Sequence, residues 1–303
     1  MKLPSEVVLC EVGLRDGLQN EAKILDTSQK IDIGKKFINS GFKVIELGSF
    51  MNPKAVPQMA DTDELFLAFK DFNEVEFRAL VANVKGIERA IACGCKKVKL
   101  NVSASLRHNL ENINMTPQES VSSFSEMTNL ATSNGLEVSG SISMPFGSPW
   151  EGDISQEEVM SIIDAYLKVG ITEISLSDAS GMAMPKQVYE LCVKVKEKYP
   201  EVKWWLHFHN TRGMAVANIM AAMEAEITNF DTSIAGLGGC PFIPGAAGNV
   251  ASEDVVHMLD EMNINSGIDI LKLLEIGKEI QNIVEHETDS YLLRAGRSKD
   301  LIK

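Results

Sequence analysis

The sequence predicts an α/β fold, a (β/α)8 barrel with an additional C-terminal helix. Eight short apolar segments rich in strand-forming residues alternate with eight amphipathic segments of helical periodicity. That alternation is typical of a parallel sheet whose strands are connected by helices. A doubly wound open sheet is the competing fold, but the segment after the first strand reads GLRDG and lacks the GxGxxG pattern of a dinucleotide-binding turn.

Each predicted strand is an apolar or alternating run bounded by turn-forming residues. The predicted strands are 6–13, 43–49, 76–82, 97–103, 137–144, 173–178, 203–209 and 229–235. The predicted helices are 27–40, 62–71, 86–93, 117–134, 155–169, 185–198, 214–226, 252–262 and 267–284. Capping residues mark several helix starts, such as Thr116, and Ser155 with Glu158 three residues later. Glycines such as Gly41 mark helix ends.

Length and composition predict one catalytic domain over 1–303, with the barrel at about 4–265 and a helical extension at about 266–303. The net charge of −13 argues against a nucleic-acid partner and against an anionic membrane surface. No apolar run reaches membrane-spanning length, and the N-terminal segment lacks the apolar core of a signal peptide. Five cysteines are few for this length, so we expect a reduced, cytoplasmic protein.

A pair of histidines, His207 and His209, lies in the predicted strand KWWLHFH. Residues i and i+2 of a strand face the same side, so both imidazoles point to one place. Asp16 follows the first strand and Asn249 follows the eighth, and barrel closure would bring both close to the histidines. Two nitrogens and two oxygens favour octahedral Mg²⁺ or Mn²⁺ over a closed zinc site. The alternatives without a metal are a layer of hydrogen-bonded histidines and an ion pair of Asp16 with Arg15.

Other reactive side chains also follow predicted strands. Arg15, beside the predicted metal site, would stabilise an oxyanion such as an enolate. Cys240 lies in the glycine-rich segment GLGGCPFIPGAAGN, where its thiol would exchange a proton with carbon; a small buried hydrophobe is the alternative. Glu46 and Asp178 are candidates either for shaping the site or only for a hydrogen-bond network, and Glu253 is a further candidate one turn after the glycine-rich segment.

Four motifs occur in order along the chain: EVGLRDGLQNE, SFMNPKAVPQM, the paired histidines and GLGGCPFIPGAAGNVASED. Together, over about 4–285, they resemble the 3-hydroxy-3-methylglutaryl-CoA lyase family, within a wider family of metal-dependent barrels that share the Arg-Asp motif after the first strand. The resemblance implies retro-Claisen cleavage of 3-hydroxy-3-methylglutaryl-CoA, or of a close 3-hydroxyacyl-CoA, to acetyl-CoA and a ketoacid (acetoacetate). It also implies a homo-oligomer, expected to be a dimer, and a place in leucine degradation and ketone-body formation.

The resemblance also implies roles for individual residues. Arg15 would stabilise the thioester enolate and Cys240 would protonate it, while Glu253 would support the loop and Glu46 and Asp178 would shape the site. The residues that would bind Mg²⁺ or Mn²⁺ are Asp16, His207, His209 and Asn249. The coenzyme A part of the substrate is polyanionic, and the basic residues of strand-following loops expected to bind it are Lys54, Arg107 and Arg212.

Three positions depart from the family pattern. Asn210 replaces the Asp of His-x-His-Asp-x-x-Gly, the Gly-Asp-Thr motif reads SDA at 177–179, and Leu106 replaces the Glu of a Ser-Glu pair. The predicted metal ligands are unchanged. The three departures lie at positions that would contact the substrate or support the ligands. The changes therefore bear on the choice of acyl group rather than on the metal-dependent carbon–carbon lyase chemistry.

Three other functions use related barrels. They are a Claisen-condensing synthase of the isopropylmalate or homocitrate type, a biotin-linked carboxyltransferase, and a barrel that only binds a metal or an acyl-CoA. The cysteine-bearing loop favours the lyase over the synthase. The complete set of arginine, metal ligands and thiol argues against binding alone, because binding would not require the thiol.

Overall fold

The computed structural model describes residues 2–239 and 247–301. Eight parallel strands close into a barrel in chain order, and β1 pairs with β8 to complete it. The predicted fold class is confirmed. The strands are β1 Val8–Glu11, β2 Val44–Ser49, β3 Glu76–Val81, β4 Lys97–Ser103, β5 Glu137–Ser143, β6 Glu173–Asp178, β7 Lys203–Phe208 and β8 Asn229–Thr232.

Helices surround the barrel, and all the predicted helices are present with small differences at their ends. They are α1 Thr27–Ser40, α2 Thr62–Phe69, α3 Val84–Ala92, α4 Leu106–Ile113, α5 Pro117–Ser133, α6 Gln156–Lys168, α7 Pro185–Lys198, α8 Ala215–Glu224, α9 Ser252–Glu261, α10 Ile270–Val284 and α11 Tyr291–Ala295. The additional C-terminal helix is α10, which packs against α1 and α9. The sequence did not predict α4 or α11, and the capping boxes expected at Thr116 and Ser155 are present.

Along each strand, successive side chains face alternately the surrounding helices and the interior of the barrel. In β4, Val98, Leu100 and Val102 belong to the apolar core between the sheet and the helices. Lys99 and Asn101, on the opposite face, line a cavity inside the barrel. The barrel interior is therefore unusually polar, and the main apolar core lies outside the strands rather than within them.

The N-terminal end of the barrel interior is filled by large side chains, which we call the barrel floor: Arg78, Lys97 and Trp205. The Arg78 guanidinium carbon lies 4.1 Å from the centroid of the Trp205 ring. Arg78 and Lys97 each contact the Glu173 carboxylate at 2.8 Å. All three side chains are buried, so the floor closes this end. Among the described residues, no helix combines the length and apolarity needed to cross a membrane.

Candidate active site

A cavity of about 140 Å³ opens at the C-terminal ends of the strands. This is the end of such a barrel at which active sites form. Four of the predicted catalytic and metal-binding side chains line it, namely Arg15, Asp16, His207 and His209, whereas Glu46 and Asn249 contact this group from behind the lining. Residues that line it include Arg15, Asp16, Gln19, Lys99, Asn101, Ser141, Ser143, Ser177, Ala179, His207, His209 and Asp231.

The GLRDG segment forms a single turn of π-helix, Gly13–Gly17, directly after β1. This rare geometry is frequent at functional sites, and here it directs Arg15 and Asp16 towards the cavity. Gly13 is required by space, because a Cβ there would lie 2.6 Å from the Glu11 Oε1 atom. That oxygen accepts a hydrogen bond from the Gly13 amide at 2.8 Å.

Asp16 and the two histidines form a compact group of potential metal ligands. The Nε2 atoms of His207 and His209 lie 3.7 and 3.6 Å from the same oxygen, Asp16 Oδ2. The potential ligand atoms of the three residues all lie within 4.8 Å of one another. A divalent cation could bind between them with ordinary metal–ligand distances after small side-chain movements.

Asn249 contacts this group from the segment after β8. Its Nδ2 atom donates to Asp16 Oδ2 at 2.7 Å and to the Leu237 carbonyl at 3.0 Å. Its Oδ1 atom is buried and has no hydrogen-bond partner among the described residues. A buried carbonyl oxygen without a donor is a ready ligand for a hard cation, so the donor set fits Mg²⁺ or Mn²⁺. Gly238 permits the approach, since a Cβ there would lie 2.5 Å from Asn249 Nδ2.

The electrostatics keep Asp16 ionised. Burial alone would raise the pKa of the Asp16 carboxyl, but Arg15 and the two histidines together hold it well below its usual range. The ion pair with Arg15 that the sequence offered as an alternative is also present, through the guanidinium Nη1 and Asp16 Oδ1. It engages one carboxylate oxygen and leaves the other facing the histidines.

Arg15 is held from its other side by Glu46, which accepts a hydrogen bond from the guanidinium Nε. Glu46 is fully buried. Burial alone would raise the pKa of this carboxyl, but Arg15 and Lys99 outweigh it and lower the value. The guanidinium is thus fixed between two carboxylates at the edge of the cavity, with its charge maintained.

Two charged side chains of the site were not predicted from the sequence. Asp231, on β8, places its Oδ2 atom 3.3 Å from His207 Nδ1, the arrangement that fixes the ring of a metal-binding histidine. Lys99 contacts Glu46 and Asp231 inside the barrel. The pattern KVKLNVS contained a signal for Lys99, because helices cover the apolar face of a barrel strand and the lysines must then face inwards.

The predicted carboxylates Asp178 and Glu253 are buried but are absent from the residues lining the cavity. Asp178 accepts hydrogen bonds from the Ser180 hydroxyl and from the amides of Met182 and Ala183, an arrangement that orders the turn after β6. Glu253 accepts from the Ala235 amide at 3.1 Å. The position of Asp178 corresponds to the hydrogen-bond network that the sequence offered as an alternative. A direct catalytic role for Asp178 or Glu253 stays a prediction.

The three basic residues predicted to bind coenzyme A are likewise absent from the described lining of the cavity. Lys54 is exposed. Arg107 lies on α4, not in a loop as predicted, with 63% of its side chain exposed and Glu111 as its partner. Arg212 donates to the carbonyls of Ser180 and Gly181. The structure does not bring the three together in the cavity, and their contact with coenzyme A stays a prediction.

Cys240 lies outside the described residues. Of the departures from the family pattern, Ser177 and Ala179 line the cavity, whereas Leu106 is exposed on α4. Asn210 Oδ1 accepts from the Ala215 amide at 3.2 Å, next to the start of α8. The change of residue at 210 therefore affects the connection after β7, and the changes at 177 and 179 affect the wall of the cavity.

Comparisons with known proteins agree with this site. A model of the HMGL-like family matches residues 6–280. The mitochondrial hydroxymethylglutaryl-CoA lyase of Gallus gallus is 38% identical over 292 residues, which covers 96% of this chain and 98% of that protein. The hydroxymethylglutaryl-CoA lyase of Bacillus subtilis is 38% identical over 281 residues, or 93% and 94% of the two chains.

Solved structures give the same result. The HMG-CoA lyase from Acinetobacter baumannii, in complex with coenzyme A and 3-methylmalate, has a TM-score of 0.95 and 39% identity, covering 100% of this chain and 99% of that chain. The Bacillus subtilis HMG-CoA lyase structure has a TM-score of 0.93 and 37% identity, covering 97% and 99%. The resemblance seen in the sequence motifs is confirmed: this protein is a lyase and belongs to the HMGL-like family.

Proposed function

We propose that this protein is a divalent-metal-dependent carbon–carbon lyase that cleaves 3-hydroxy-3-methylglutaryl-CoA to acetyl-CoA and acetoacetate. The observation that carries the proposal is that Asp16, His207 and His209 lie beside Arg15 in one cavity, with Asn249 hydrogen-bonded to Asp16. The family supports it, since the relatives reported above are hydroxymethylglutaryl-CoA lyases across nearly their whole length.

The reaction breaks the bond between C2 and C3 of the acyl group. Overall it moves the proton of the C3 hydroxyl to C2. Loss of that proton to a base forms a ketone at C3 as the C2–C3 bond breaks, and the enolate left on the thioester must be stabilised until it takes up a proton at C2. Mg²⁺ or Mn²⁺ bound by Asp16, His207, His209 and Asn249 would acidify the hydroxyl and polarise the new carbonyl. The buried guanidinium of Arg15 supplies a fixed positive charge for the enolate oxygen, and the Cys240 thiol would protonate the enolate carbon to give acetyl-CoA.

The wall of the cavity supports a polar, branched acyl group rather than a long alkyl chain. Ser141, Ser143 and Ser177, with Asn101, line the cavity from β4, β5 and β6. The Ser143 hydroxyl donates to Asn101 Oδ1 at 3.0 Å. Hydroxyl and amide groups of this kind favour the hydroxyl and carboxylate of the substrate over apolar carbon.

The test is a coupled assay of acetyl-CoA release from 3-hydroxy-3-methylglutaryl-CoA with Mg²⁺ present. We expect release by the wild type, its loss on addition of EDTA, and a loss of at least about 1000-fold in His207→Ala and in Cys240→Ala. His257→Ala, on helix α9, is the matched control and should keep wild-type activity. A folded, metal-loaded wild type that released no acetyl-CoA would refute the proposed substrate, and other 3-hydroxyacyl-CoA thioesters would then be assayed.

A further inference from the structure

Six side chains form a closed ring of contacts around the inner end of the active-site cavity, and Lys99 is the member to which the proposed mechanism gives no role. Starting from the metal-binding carboxylate, each member contacts the next, and the last contacts the first. In order around the ring they are Asp16, Arg15, Glu46, Lys99, Asp231 and His207.

Lys99 joins the two halves of this ring. Its Nζ atom lies 2.9 Å from Glu46 Oε2 and 3.2 Å from Asp231 Oδ2. Its side chain is 4% exposed and lies inside the barrel on β4. Burial alone would lower the pKa of this amine, but Asp231 and Glu46 raise it above its usual value, so Lys99 carries a positive charge. The neighbouring charge of Arg78 opposes this effect and does not reverse it.

Both carboxylates that Lys99 contacts have a second partner in the active site. Glu46 accepts from the Nε atom of Arg15, the guanidinium proposed to stabilise the enolate. Asp231 lies against Nδ1 of His207, whose Nε2 faces the metal-binding carboxylate. Glu46 therefore connects Lys99 to Arg15, and Asp231 connects Lys99 to His207.

The charges explain why a cation is needed at this point. Glu46 and Asp231 are both buried, and the Lys99 Nζ atom lies within contact distance of both carboxylates. Two ionised carboxylates in a water-poor interior repel each other and are costly unless a cation lies between them. Without the ammonium group, the two carboxylates would lose the partner that they share, and Arg15 or His207 would no longer be held in its present orientation.

We propose that Lys99 is a positioning residue that acts through Glu46 and Asp231 to hold both Arg15 and His207 in their working orientations. Its effect on catalysis rests on the proposed function, whereas its effect on metal binding does not. One buried lysine thereby links the group that stabilises the enolate to a ligand of the metal.

Lys97 provides a matched control for the experiment. It lies two residues earlier on the same face of β4, is buried, and contacts the carboxylates of Glu76 and Glu173 in the barrel floor. It is absent from the described lining of the cavity. Lys97→Met and Lys99→Met therefore remove the same charge from similar surroundings, but only Lys99→Met removes a member of the ring of contacts.

The experiment measures the Mn²⁺ dissociation constant by electron paramagnetic resonance, the midpoint of thermal unfolding, and kcat and KM for 3-hydroxy-3-methylglutaryl-CoA. In Lys99→Met we expect Mn²⁺ binding to weaken about 10-fold, the size of effect found for groups that orient metal ligands, and kcat to fall more than KM changes. Lys97→Met should lose thermal stability while keeping Mn²⁺ affinity and kcat.

A double-mutant cycle tests the route of the effect. If Lys99 acts through Asp231, then Lys99→Met should weaken Mn²⁺ binding less in an Asp231→Asn background than in the wild type. Lys99→Gln, which keeps a hydrogen-bonding group without the charge, replaces Lys99→Met if that variant does not fold.

Unchanged Mn²⁺ affinity and kcat in the Lys99 variant would overturn the proposal, as would equal losses in the Lys97 and Lys99 variants, which would indicate a structural role only. A wild type that binds Mn²⁺ but does not cleave the thioester would refute the proposed function, and the Mn²⁺ comparison would still decide the role of Lys99.

Discussion

At the scale of single residues, the site depends on how Arg15 is oriented. Its guanidinium contacts Asp16 through one nitrogen and Glu46 through another, so the planar fork is held at two points. A planar group with several fixed donors can satisfy both carboxylates and still face the cavity, whereas an ammonium group acts as a point charge. The shape of the cation should therefore matter as well as its charge.

Arg15→Lys tests this dependence. Because lysine keeps the positive charge but cannot occupy both contacts with the same geometry, we expect kcat to fall about 100-fold, the effect of removing one oxyanion-stabilising donor. Mn²⁺ affinity should change much less, since the metal ligands remain. The measurements are kcat, KM and Mn²⁺ affinity; a variant with wild-type kcat would show that charge alone is sufficient.

The residues proposed to bind the metal could be identified in the sequence, and their supporting partners were harder to find. His207 and His209 stand out because histidine is rare here and strand geometry places i and i+2 on one face. Asp231 looks like an ordinary polar residue of a short strand, and its pairing with His207 depends on the register between β7 and β8. The register between two strands cannot be predicted from the local sequence pattern of either strand.

At the scale of elements, a single buried carboxylate ties together the turns that follow β1 and β8. Glu11 Oε1 accepts hydrogen bonds from the amides of Gly13 and Ile234, and its Oε2 accepts from the Ser252 hydroxyl of α9. The first turn carries Arg15 and Asp16. Burial raises the pKa of Glu11 to about 8, despite these three hydrogen bonds.

This raised pKa predicts a pH dependence of stability. The folded protein keeps a proton on Glu11 up to about pH 8, whereas the unfolded chain loses it near pH 4. The folded state thus binds more protons between these values. The stability contributed by Glu11 is complete below the unfolded pKa and is lost as pH rises through the folded one.

Glu11→Gln should remove this dependence, because the amide is uncharged and can form the same contacts. We expect its free energy of unfolding to fall less between pH 5 and pH 8.5 than that of the wild type, by an amount on the order of a few kcal/mol. The measurement is denaturant unfolding with EDTA, which removes metal effects. Glu253, whose pKa burial raises to about 7, will keep some slope in both proteins. Parallel curves would contradict the prediction.

Most elements were predictable because their patterns are local, and the exceptions have physical reasons. Helix α1 was predicted at its observed bounds from its periodicity and from Gly41 at its end. Helix α4 was missed because it is short and leaves Leu106 and Leu110 exposed, so no apolar stripe marks it. The π-helical turn at Gly13–Gly17 has no sequence rule of its own.

At the scale of the whole molecule, the metal should contribute to the stability of the fold. The residues proposed to bind it lie on β7 and in the segments after β1, β7 and β8, so only the folded chain can assemble them. A ligand that binds only the folded state stabilises it by about 2.7 kcal/mol at 100 times its dissociation constant. For a chain of this length, that corresponds to a rise of about 4 °C in the midpoint of thermal unfolding.

Differential scanning calorimetry with EDTA and with excess Mn²⁺ checks this. We expect the rise in the wild type and its absence in His209→Ala, while His257→Ala, which leaves the ligands intact, should show the full rise. A shift of equal size in His209→Ala would mean that Mn²⁺ stabilises the protein at another place.

Among the described residues, the barrel floor closes the active-site cavity at its inner end, opposite its mouth. Arg78, stacked on Trp205, and Lys97 close the inner end permanently, and their buried ion pairs do not depend on substrate. Among the described residues, this leaves the mouth as the route by which bulk water approaches the cavity. Because the floor closes the inner end, a small movement at the rim of the mouth would be enough to exclude water from the cavity when the thioester binds. Such a movement would limit both hydrolysis of the thioester and loss of the enolate.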